Sequence, residues 1–404
     1  MAVTVTNVSS TVQLYAALAA ATGETQIRLA PGNYGYIGLN NVNPLATVTI
    51  TSDNLAARAN INTLQVRGSS NLTFSELFFQ HAPVNSTDGS SDVYVANSHD
   101  LKFVHNEFVS VVNTNNLDDG GGMELVSSQR VQILDNKFHD LKFALLTHET
   151  DHVVIAGNDV SLVREGFDNA GNNYLTIDSN LFHDFRPYLY GATPDHPDAI
   201  QMWTTNSVGS NHVEITNNAF LTASGHPIQG IFIRSERGDV ARHSDFLIAD
   251  NAYIGQSRHG ISVSDVDGVH ITGNTVVSAP KYNDAFQYLD PAIWTTNTTG
   301  AVVDHNIASL FMSVGDTGRV ASNNIDAWDL ATGVGTPYNQ IFAHSPSAGS
   351  PAAWFVAKPG SVAAAQGIGY ANETNPGNWA AVTPTLIEHY NAVLDHAGAA
   401  YHIV

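Results

Sequence analysis

A six-residue pattern, V-x-I-x-x-N, recurs through the middle of the chain and constrains the fold more than any other feature. It reads VQILDN ending at Asn136, VVIAGN at Asn158, LTIDSN at Asn180, VEITNN at Asn218, FLIADN at Asn251 and VHITGN at Asn274. LKFVHN at Asn106, AVVDHN at Asn306 and a weaker RVASNN around Asn323 extend it. The closest copies lie 22, 22 and 23 residues apart. Alternating apolar residues make a strand with one inward face. A fixed period of this size marks a solenoid, in which each repeat buries its face against its neighbours. The asparagine marks the bend after each strand: it tolerates left-handed backbone, bonds local peptide groups, and stacks on its copies as a ladder.

The expected fold is therefore all-β, a right-handed parallel β-helix of roughly nine or ten coils. A second strand starts 14 residues before the asparagine in the undisturbed coils: GMELV from Gly122, ALLTH from Ala144, GFDNA from Gly166, GISVS from Gly260 and AIWTT from Ala292. Coils with longer loops give AIQMW from Ala199 and GIFIR from Gly230. Ile200, Met202, Ile231, Ile233, Ile261 and Val263 point into the core, so the first, third and fifth positions face out and stack into columns. The first column holds only glycine and alanine. Either it floors a shallow groove, or these residues simply begin strands after tight turns. The third column is Glu124, Leu146, Asp168, Gln201, Phe232, Ser262 and Trp294, and the fifth is Val126, His148, Ala170, Trp203, Arg234, Ser264 and Thr296. Arg164 and Arg258 stand two positions before the small column with the same parity. Acids, bases, amides and aromatics along one face suit an extended sugar chain. On that reading Glu124, His148, Arg164, Gln201, Trp203, Arg237, Arg258 and Lys281 are binding candidates.

Long loops interrupt three consecutive coils, at 181–198, at 221–229 together with 234–245, and at 278–291; loops on a rigid scaffold are where function concentrates. They are expected to wall the stretch of groove that holds Asp168, Gln201, Arg234 and His259. The charge balance agrees. The net charge is −21, from 37 acids against 16 bases, which disfavours nucleic-acid and membrane-surface roles. Seven of the 16 bases (Arg164, Arg186, Arg234, Arg237, Arg242, Arg258 and Lys281) fall in the central stretch, which points to a local anionic ligand there.

Residues 10–21 read as an amphipathic helix capped by Ser10 or Thr11 that covers the first coil. The repeat fades beyond about residue 335. The expected division is a β-helix over 1–334 and a loop-rich segment over 335–404, with a closing helix at 383–399, packed on the solenoid. There is no cysteine, hence no disulfide or thiolate metal site. The N-terminus shows no signal-peptide pattern, although an extracellular role is expected.

Several segments resemble known families. RLAPGNYGYIGL followed by VTITSDN and LTFSELFF is similar to the opening coils of chondroitinase and alginate-lyase-like chains, and AVLDHAGAA resembles a pectate-lyase ending. GFDNAGNNYLTID (166–178) and SRHGISVSDVDGVHITGN (257–274) resemble coils of the mannuronan C5-epimerase catalytic module. Over nearly its whole length the chain resembles the pectin-lyase-like β-helix proteins: pectate and alginate lyases, mannuronan epimerases and polygalacturonases. In the epimerases Gly-Phe-Asp continues into Pro-His-Glu and supplies a catalytic histidine; here Asn169 and Ala170 follow, so only Asp168 and His259 carry over. HPDAI (196–200) and RHGISV (258–263) faintly resemble polygalacturonases, but the intervening coil reads IQGIFIRS and lacks their paired aspartates. The subfamily stays open.

The resemblance implies chemistry on an acidic polysaccharide, by β-elimination or C5 epimerisation at a uronate. Either needs a carboxylate clamp and groups that move the C5 proton. Arg234 is the expected clamp, with proton transfer by His196, His259 or Tyr190. Asp195 and Asp198 offer oxygen ligands for calcium, or orient His196. The alternatives are an inverting glycoside hydrolase using Asp168 and Asp198 on adjacent coils, or a tailspike-like module that only binds glycan.

Overall fold

The computed structural model describes residues 3–80, 90–113, 115–190, 193–194, 197–205, 208–222, 228–235, 241–278, 290–327, 335–344 and 350–371. One coil shows how the sequence folds. Asp151–Ala156 forms the first leg, and Asn158 turns the chain into the strand Asp159–Ala170. That strand bends near Leu162, whose φ is 54°, so it supplies both the second and third legs. Asn172 then turns the chain into the next first leg, Asn173–Asp178. All successive legs pair in parallel: the first legs build a 13-stranded sheet, and the second and third legs share a 20-stranded one. The right-handed parallel β-helix is thus as expected. Its first face carries thirteen strands, more than the asparagine repeat counts, because the N-terminal strands Thr4–Val8, Thr25–Leu29, Val48–Ser52 and Ser70–Ser75 are not followed by the asparagine.

The asparagines stack at equivalent bends. Asn158 Nδ2 donates to Asn180 Oδ1 at 2.9 Å, and Asn136 Nδ2 to Asn158 Oδ1 at 3.1 Å. The ladder runs through Asn106, Asn136, Asn158, Asn180, Asn218, Asn251, Asn274, Asn306 and Asn324, buried or nearly so. Each amide also reaches a backbone carbonyl of an earlier leg, as Asn158 does with Ile133, so buried peptide groups are satisfied. The left-handed residue, however, is the one before the asparagine: Asp135, Gly157, Ser179, Asn217, Asp250 and Gly273 all have φ between 52° and 68°. The amide is thereby left free to bridge coils.

Inside, Phe79, Phe108 and Phe138 stack with centroids 4.9 and 4.5 Å apart, one ring per coil. The helix Thr11–Ala20, capped by Ser10, buries Leu14 and Leu18 over the first coil. At the other end Phe342, Phe355, Ile368 and Tyr370 pack against Ala252, Ile254, Val277 and Ile307 on the outside of the second legs. Residues 383–399 lie outside the described residues. No described helix is long and apolar enough to cross a membrane.

Candidate functional site

The third legs present one outward column. Glu124 pairs with Leu146, Leu146 with Asp168, Asp168 with Gln201, Gln201 with Phe232, Phe232 with Ser262, and Ser262 with Trp294. By chain order, the legs Asp198–Trp203, Gln229–Ile233 and Ala292–Thr296 follow the connections 184–197, 222–228 and 279–291, parts of which lie outside the described residues. The glycine and alanine column is no groove floor. Ala144, Ala199 and Ala292 are fully buried, and a Cβ on Gly166 would meet the Ala199 carbonyl at 2.1 Å. These residues are small because the chain turns a corner there and the next coil approaches closely; strand parity alone ignores the corner.

Three polar atoms without partners lie on consecutive coils of this face. Asp168 Oδ1 is shielded from solvent and accepts no hydrogen bond, and His148 Nε2 and Trp203 Nε1 are in the same condition. His148 and Trp203 start two coils apart, each beside Ala170, a backbone separation of about 10 Å. Their rings nevertheless approach to 5.6 Å edge to face, so both lean over the fully buried Ala170 methyl. Ala170 shares a face with Asp168 two residues away, about 7 Å along the strand. Ala170 also occupies the position of the histidine in the epimerase-like motif, and His148 brings an imidazole there from the preceding coil.

The charges are arranged around the same carboxyl. Burial pushes the Asp168 pKa up to about 7, against the opposing pull of the Arg164 guanidinium. Arg164 lies over the Tyr188 ring at 4.7 Å and pairs with Glu165 at 3.1 Å, and Glu165 accepts from the Asp198 amide at 2.9 Å. Behind Asp168, Asn169 points inward, accepting from Thr147 Oγ1 at 2.7 Å and donating to the Gln201 carbonyl at 3.2 Å. This fully buried amide fixes the strand that carries the acid.

The other candidates are dispersed. His259 lies about three coils, or ~14 Å, from the rung of Asp168. Its Nδ1 meets Ser262 Oγ at 2.7 Å, its ring is parallel to Trp294 within 5° at 5.6 Å, and Phe232 approaches edge-on at 5.1 Å. Arg234 is exposed, beyond Trp203 at the far end of its leg, whereas His259 begins the next one. The expected grouping of Arg234 with His259 therefore does not form, because the full length of a strand separates them. Asp198 is 2% exposed, with inward parity, and sits three residues before the rung of Asp168, so the two carboxyls do not face one sugar. Glu124, Gln201 and Arg258 are partly exposed on the third legs or at their edge. His196, Asp195, Arg237 and Lys281 lie outside the described residues, and Tyr190 is described by its backbone alone. Among the described residues no group of three or more acids and histidines is placed to hold a metal ion. Tyr188 and Glu165 were not singled out from sequence; Tyr188 meets Arg164 only when the 184–190 connection returns to the coil, and Glu165 meets Asp198 only through coil stacking.

Comparison with known proteins agrees with this architecture. A family model for right-handed β-helix regions matches residues 62–196. The A-module of mannuronan C-5 epimerase AlgE6 from Azotobacter vinelandii superposes with a TM-score of 0.51 at 13% identity, covering 77% of this chain and 94% of that one. Pectate lyase Pel9A gives 0.45 at 12%, covering 90% and 91%, and an alginate lyase from a Paenibacillus species 0.43 at 14%, covering 79% and 97%. No curated protein sequence matches. The class is thus a right-handed parallel β-helix. Within it, the epimerase module shares the fold over about three quarters of this chain.

Proposed function

We propose that this protein processes an acidic, uronate-containing polysaccharide by removing the C5 proton, leading to β-elimination or epimerisation, in the groove over Asp168. One observation carries the reading: a carboxyl that burial raises to about 7 feels the Arg164 guanidinium, and an imidazole nitrogen without a partner lies one coil and two residues away on the same face. Such a set answers the needs of the reaction. Arg164 neutralises the sugar carboxylate or the charge that grows on it when the proton leaves. Asp168, raised to about 7, exchanges its proton near neutrality, and the His148 imidazole is its partner, so one serves as base and the other as acid. The leaning Trp203 limits water above them, and Arg234 sits farther along the groove to hold a neighbouring carboxylate.

A polymeric substrate implies action outside the cell. The reading is tested by incubating the protein with a panel of uronate polymers and following unsaturated ends, reducing ends and the epimer ratio together. Unsaturated ends or a changed epimer ratio, lost in His148→Gln, are the expected result. Reducing ends alone would point to hydrolysis and overturn it.

A further inference from the structure

The outward column of the third legs changes character along its length. Glu124 to Gln201 is its polar end; from the next rung the outward residues are Phe232, Ser262 and Trp294, followed by Met312. His259 lies across this stretch with its ring parallel to Trp294, and its bond to Ser262 holds that orientation before any ligand arrives. Phe232 closes the other side edge-on. Trp294 Nε1 has no hydrogen-bond partner.

We propose that Phe232, His259 and Trp294 form a distal sugar-binding subsite, which takes a ring several residues along the chain from the one over Asp168 and makes the protein selective for long acidic chains. This rests on the groove being a polysaccharide site. Trp294 stands four rungs from Asp168, about 19 Å. A 1,4-linked pyranose chain advances by about the rise of one coil per residue, so sugars and rungs keep step along the axis. A hexamer bridges both ends of the groove, and a trimer reaches only one. Aromatic side chains offer large rigid surfaces to the C–H faces of sugars, and a prearranged cluster loses little entropy on binding. The three side chains bring no fixed cation, so this subsite reads chain length, while Arg164 at the other end reads charge.

The test compares trimers and hexamers cut from alginate and from polygalacturonate, with turnover and calorimetric binding measured separately. For the wild type, kcat/KM and affinity should favour the hexamer by roughly tenfold, the scale of one good aromatic contact. In Trp294→Ala that preference should fall to near one, and in Trp294→Phe most of it should return, with thermal melting confirming that both variants fold. An unchanged hexamer preference in Trp294→Ala, or none in the wild type, overturns the subsite. If the wild type turns over neither oligomer yet binds the hexamer more tightly in a Trp294-dependent way, the subsite stands and the proposed chemistry falls. If turnover is robust without any length preference, the chemistry stands and the subsite falls.

Discussion

Asp168 and Asn169 are consecutive residues of one strand, facing groove and core respectively, and each answers for the other. Asn169 anchors the strand to the coils on both sides, which lets Asp168 keep a shielded oxygen with no partner. A carboxyl raised to about 7 is protonated below that pH and ionised above it. If Asp168 supplies the proton, turnover should fall as pH rises through 7. Asp168→Asn should lower kcat by about 10²–10⁴-fold, the usual worth of a general acid or base, without loss of thermal stability, since an unpaired shielded carboxyl is removed. A variant with wild-type turnover would take Asp168 out of the mechanism. The positions of Asp168, Gln201 and Trp203 were legible in the sequence because strand parity is fixed. The lean of His148 was not, because it depends on Ala170 being small one coil away.

The asparagine ladder is the element that sets the register of the coils, and it was legible as a repeated letter. The left-handed residue before it was not, since Asp135, Gly157 and Ser179 share no residue type. Asn158→Ala would strand the Asn136 amide N–H and the Ile133 carbonyl. At about 1–3 kcal/mol for each buried group left unsatisfied, urea unfolding should show a loss of about 3 kcal/mol; a loss under about 1 kcal/mol would mean water replaces the ladder. The flanking turns carry charge pairs. The carboxylates of Asp135 and Glu76, 3.6 and 3.2 Å from its ring nitrogens, raise His105 to about 9 despite its burial. At His183 burial opposes protonation, and Asp159 and Asp184 overcome it, again to about 9. Histidines raised in the folded state stabilise fully below their ordinary 6.5, and that contribution disappears as pH rises through 9. Stability should therefore decline across that window, and the decline should flatten in a His105→Gln, His183→Gln double variant. Equal stability at both ends of the window in the wild type would show that these pairs do not hold the turns.

The whole molecule is a stack in which each coil touches chiefly its neighbours, so the site is assembled from short stretches of consecutive coils held at a common rise. This is why the outward face could be foreseen as columns, while the long connections, whose sequences follow no repeat, could not be placed. It also explains why the candidates spread along the axis: His259 and Arg234 belong to rungs that would meet other sugars of the proposed bound chain. The central claim is that the groove over Asp168 removes the C5 proton of a uronate, and it is tested most directly with polymers deuterated at C5. The protein should release deuterium into water, whether the product is an unsaturated end or an epimer, and Asp168→Asn and His148→Gln should each suppress the release strongly. Processing of the polymer with all C5 deuterium retained would contradict the account.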